Sequence, residues 1–148
     1  MRNACRAARG LASYAVRRPP IVVILHLAYA WIPAGFVLLG FSALGRVPHT
    51  LAMHAFTAGV IGGAIISMIT RTALGHTGRP IVADRRDIGC YGLVMAGAAL
   101  RIFGPLVAPQ AFMVWIGAAG ACWIAAFALY IAAYALPLLR PRADGKPG

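Results

Sequence analysis

Four apolar runs of about twenty residues or more, separated by short polar turns, constrain this chain more than any other feature. A helix rising 1.5 Å per residue needs about 20 such residues to cross the hydrocarbon core of a bilayer. The expectation is therefore an all-α, integral membrane four-helix bundle. Its spans run at about 21–44, 50–74, 88–107 and 111–136, between a basic arm (1–20) and a basic tail (137–148). Composition agrees, because 61% of the 148 residues are hydrophobic and only 11% charged, against about 25% charged in a soluble domain. No second domain fits in this length.

Charge then orients the spans. The net charge is +11, from thirteen arginines and one lysine (Lys146) against three aspartates and no glutamate. Without glutamate, paired-carboxylate hydrolysis and di-iron carboxylate sites have no raw material. A basic excess can mean nucleic acid. Here, however, the arginines sit at helix ends and in the tails, so topology explains them and no nucleic-acid partner is expected. The arm, the second loop and the tail hold eleven positive charges, whereas the first and third loops hold only Arg46. The positive-inside rule places both termini and the second loop in the cytoplasm. The arm reads as an Arg-rich segment lying on that face. The two other readings are a signal peptide, which lacks an A-x-A site, and an organelle presequence. The tail, LLRPRADGKPG, reads as disordered. Cys5, Cys90 and Cys122 have no CxxC spacing and read as apolar fillers.

The stretch His49–Pro80, HTLAMHAFTAGVIGGAIISMITRTALGHTGRP, holds three of the four histidines. Ala55, Gly59 and Gly63, extended by Ala58 and Gly62, form a small-xxx-small ridge against which another helix can pack closely. Thr50, His54, Thr57, Ile61, Ala64, Met68 and Arg71 share a second stripe at spacings of three and four. Gly75 and Gly78 allow the positive φ of a tight helix end. In the first span, Pro33 and Gly35 predict a kink.

Alternating span direction converts these positions into depths. An outer level collects His49, His54, Thr57 and Arg101. An inner level collects His26, Arg71, His76, Cys90 and Tyr91, with Tyr130 and Tyr134 nearby. A charged group at mid-membrane costs about 2.5–3.5 kcal/mol on insertion scales. No acid is expected within the spans, so Arg71 and Arg101 must snorkel, bond backbone carbonyls, or meet an anionic ligand such as a haem propionate or a lipid phosphate. The candidate cofactor residues are His54, His26, His76, Arg71 and Arg101. The candidate metal ligands are His54, His49, His26 and His76. Imidazole suits haem iron and copper alike. Depth disfavours His26 with His54 and leaves the pairs His49/His54 and His26/His76.

HAFTAGVIGGAIISMITRTALGHTGRP (His54–Pro80), preceded by HLAYAWIPAGFVLLG (His26–Gly40) and followed by RPRADGKPG, resembles the C-terminal part of the NnrS family. These are bacterial membrane proteins described as containing haem and copper and linked to nitric oxide metabolism and resistance. The resemblance covers the chain beyond residue 20. It implies a multi-pass inner-membrane protein with haem or copper on its histidines, acting in nitric oxide or denitrification-linked metabolism. Typical members carry further helices and histidines ahead of this part. That leaves three alternatives: a site completed in a homo-oligomer, one completed by a separately encoded membrane partner, or no metal binding. Two other functions stay open: an accessory or assembly subunit docking on a respiratory complex through the Ala55/Gly59/Gly63 ridge, and half of a dimeric small transporter.

Overall fold

A computed structural model of the chain describes residues 19–145. Its elements are helices α1 (Pro20–Ala43), α2 (His49–His76), α3 (Arg85–Val107) and α4 (Phe112–Leu139), with one 3-10 turn at Pro109–Ala111. All four are long and apolar enough to cross a membrane, and the described residues contain no strand. The described part is thus all-helical, with four helices of membrane-spanning length and composition. Most of the arm, residues 1–18, lies outside the described residues.

Local chemistry sets the helix ends. Pro20 opens α1 at a position where its missing N–H is no loss. Pro33 sits inside α1, and the helix continues through it. The ends of α1 and α2 are built alike. Arg46 N–H reaches back to Phe41 O at 3.0 Å and Gly45 N–H to Ser42 O at 2.9 Å. Arg79 N–H reaches Leu74 O at 3.0 Å and Gly78 N–H reaches Gly75 O at 3.2 Å. Both are Schellman caps, with Gly45 (φ +69°) and Gly78 (φ +68°) in the left-handed conformation they require. Gly75 itself stays helical. The expected positive φ therefore belongs to Gly78 alone, and LGHTGR is the last turn and cap of α2.

α3 begins at Arg85, three residues before the apolar run at Ile88. Asp84 and Asp87 form a reciprocal capping box that draws Arg85–Asp87 into the helix. This corrects the expectation that no acid lies within a span. Asp87 stands in the first turn of α3 and is 1% exposed. It bonds Asp84 N–H at 2.9 Å and Tyr134 Oη at 2.7 Å rather than any arginine.

The bundle is open. α1 packs along α2 and α3 along α4 to a similar extent, α2 packs less extensively along α3, and α1 and α4 do not touch among the described residues. α2 and α3 form the middle, and α4 turns most of its apolar surface outward. Tryptophan against glycine makes the close approaches possible. Trp31 lies on Gly59, Trp123 on both Gly62 and Gly97, and Trp115 on Gly104. Gly63 faces Ala28 of α1. The small-residue ridge of α2 is therefore covered by α1 within the same chain and is not free to dock on another protein.

The tail is ordered as far as it is described, contrary to its composition. Ala143 N–H bonds Thr77 O at 3.0 Å, and Asp144 sits against Gly78, where a Cβ would come within 2.7 Å of its carboxylate. The tail returns to the α2 cap because Gly78 leaves room for it. Arg142 pairs with Asp144 at 2.8 Å, and these hydrogen bonds hold the guanidinium pKa above its usual value.

Candidate functional site

Residues from α2, α3 and α4 meet at a groove of about 340 Å³. α2 contributes His54, Thr57 and Ala58, α3 contributes Gly97 and Arg101, and Trp123 of α4 forms part of the lining. A volume of this size lies at the lower end of ordinary ligand pockets. Its wall is apolar apart from the imidazole, the guanidinium and one hydroxyl.

The backbone prepares the imidazole. His54 ends the first α-helical segment of α2, and Ala55–Ile61 then form a wider π-helical turn. Such turns are rare and concentrate at functional sites. His54 Nδ1 bonds the Thr50 carbonyl one turn back. A carbonyl only accepts, so Nδ1 is the donor, and in the neutral ring Nε2 keeps its lone pair. Histidines that ligate metals are held in this manner. Thr57 donates to Met53 O at 2.9 Å, which consumes its proton and leaves its lone pairs outward.

Arg101 is half-buried beside this ring. Its guanidinium carbon lies 5.6 Å from the Phe112 ring centroid, a cation–π contact that partly offsets the cost of the charge. Among the described residues no carboxylate pairs with it. The outer level expected from depth is thus assembled for His54, Thr57 and Arg101, while His49 begins α2 on the exposed surface and does not line the groove.

The inner level separates into three places. Arg71 and His76 line a second hollow of about 510 Å³ together with Arg142. His26 is exposed on α1, its Nδ1 2.8 Å from Val22 O, and it does not join them. Cys90 and Tyr91 are buried in the core, where Tyr91 Oη lies 2.7 Å from Thr70 Oγ1. Neither expected pair, His49/His54 or His26/His76, lines the groove or the second hollow together. Sequence reasoning missed the pairing of Asp87 with Tyr134; the D-x-x-D spacing of Asp84 and Asp87 was the available signal for the helix start.

The donor set decides which cofactor fits. One imidazole with a free Nε2 and one unpaired guanidinium on the same groove suit a haem iron and a haem propionate. A copper centre fits less well, since no three His, Cys, Asp or Glu side chains gather as metal ligands among the described residues.

Compared with known proteins, the chain matches the family described as NnrS protein over residues 3–142. This match takes in the N-terminal arm as well as the four helices. No curated protein and no solved structure matches the chain.

Proposed function

Starting from the chain's membership of the NnrS family, we propose that it is a haem-binding protein of the bacterial inner membrane, acting in nitric oxide or denitrification-linked metabolism. The observation that carries this reading is the convergence of His54 and Arg101 on one groove. His54 would hold the iron through Nε2, with its tautomer set by Thr50 O. Arg101 would hold a propionate from the side of Phe112. Trp123 and the glycine-faced walls keep the groove apolar. The haem supplies an iron centre with affinity for diatomic ligands. What the chain adds is one ligand, one counter-charge and an apolar wall.

Copper belongs to this reading only with donors from outside the chain, from a second copy or a separately encoded membrane partner. The open flanks of α1 and α4 leave room for either. The distribution of arginine supports cytoplasmic termini.

The test is optical. Purified protein supplied with haem is expected to show a Soret band that His54→Ala abolishes and His26→Ala leaves in place. A band that persists in His54→Ala while disappearing in His26→Ala would move the site to α1 and sink the assignment.

A further inference from the structure

The hollow at the end of α2 carries charge that helix capping does not use. Its volume is about 510 Å³, and Met68, Arg71, His76, Ile81 and Arg142 line it. Three segments supply these residues: α2, the connection to α3, and the tail. The last carbonyls of α2 are already occupied, Ala73 O by Thr77 N–H and Leu74 O by Arg79 N–H. Arg71 and His76 are therefore not needed as cap donors. Among the described residues Arg71 makes no ion pair. Arg142 gives Nε and Nη2 to Asp144 and keeps the rest of its fork.

The surroundings are apolar on one flank. Ile65 and Met68, about three and two turns before the end of α2, are 44% and 59% exposed. An apolar surface thus leads along α2 to a cationic hollow at the level where the helix ends. That is the profile of an amphiphile with an anionic head. Guanidinium groups match phosphate oxygens in geometry as well as charge. Basic pockets between membrane helices at the cytoplasmic boundary take acidic lipid head groups.

We propose that this hollow binds the phosphate of an acidic phospholipid, held by Arg71, His76 and Arg142, with the start of an acyl chain along Met68 and Ile81. Asp144 is the opposing charge, and it competes with the phosphate for Arg142. The site rests on the membrane-spanning reading but not on haem, because His54 and its groove lie at the other end of α2.

The test measures phospholipid retained by the full chain in nanodiscs of phosphatidylcholine and phosphatidylglycerol in equal parts, after extraction and mass spectrometry. Arg71→Gln and Arg142→Gln are expected to lower retained phosphatidylglycerol several-fold. Arg46→Gln, at the opposite end, is expected to leave it unchanged. Asp144→Asn is expected to raise it, a gain that a misfolded variant would not show. Equal retention in Arg71→Gln and Arg46→Gln overturns the site. A separate arm adds inorganic phosphate to protein in phosphatidylcholine alone. Thermal stabilisation there equal to that given by phosphatidylglycerol, and lost in Arg71→Gln, identifies a free phosphate and overturns the lipid assignment. The Soret band, read in the same samples, separates failure here from failure of the haem reading.

Discussion

Tyr134 of α4 donates a 2.7 Å hydrogen bond to Oδ1 of Asp87 in the first turn of α3, and both side chains are buried. The other carboxylate oxygen takes the backbone N–H of Asp84. One carboxylate thus closes the N-terminus of α3 and fastens α4 to it. Tyr134→Phe is expected to destabilise the protein by about 1–3 kcal/mol by leaving a buried acceptor short of a donor. Asp87→Ala removes the capping box as well and is expected to cost about 2–4 kcal/mol. Unfolding in detergent followed by circular dichroism checks the order of the two; equal effects would contradict the double role.

The contact of Trp31 with Gly59 predicts a packing defect. A Cβ at Gly59 would collide with the Trp31 indole, so Gly59→Ala must displace the indole or push α1 from α2. The expected loss is about 1–3 kcal/mol, typical of overpacking. Gly40 has nothing within 4 Å of its missing Cβ. Gly40→Ala is expected to be neutral or to stabilise by about 0.5–1 kcal/mol through helix propensity. Melting temperatures of the two variants give the comparison.

Gly78 is constrained twice, by φ +68° and by Asp144 against its α-carbon. Gly78→Ala is expected to cost about 1–2 kcal/mol in backbone strain alone. It should also release the tail. Faster proteolysis beyond Pro137 in Gly78→Ala than in the parent protein is the outcome to look for.

For Arg101, the prediction concerns affinity rather than folding. Loss of a charge-assisted bond to a propionate is worth about 1.5–3 kcal/mol. Arg101→Gln is therefore expected to weaken haem retention about tenfold or more while leaving the helical spectrum intact. Haem titration of the apoprotein reads this directly, and an unchanged dissociation constant would remove Arg101 from the site.

The orientation expected from the positive-inside rule rests on Arg46 between α1 and α2 and on Arg79, Arg85 and Arg86 at the connection between α2 and α3. With the three native cysteines replaced, an impermeant thiol reagent applied from outside the cell membrane is expected to label Arg46→Cys and not Arg79→Cys. The reverse pattern would invert the topology.

Much of the helical layout was legible because its causes are local. Hydropathy sets the spans, and a glycine that must take positive φ ends α1 and α2. The start of α3 was placed late because a capping box is read from Asp84 and Asp87, polar residues that hydropathy assigns to a loop. The ridge of Ala55, Gly59 and Gly63 was legible as a close-packing surface, but its occupant was not. Only the fold brings Trp31, 28 residues earlier in the chain, onto Gly59. The groove was half legible. Alternating span direction placed His54, Thr57 and Arg101 at one depth, yet depth carries no rotation about the helix axis, so it also admitted His49.

From the sequence alone came the membrane class, the helical spans, the orientation expected from arginine placement and the residues able to bind a cofactor or anion. These depend on composition and on chemistry within a turn or two of chain. Tertiary structure alone decided that α1 covers the ridge, that His26 stands apart, that Asp87 serves Tyr134 rather than an arginine, and that the tail folds onto the α2 cap. Each of these depends on which helix faces meet, and rotation about a helix axis is set by packing of all neighbours together rather than by any single run of residues.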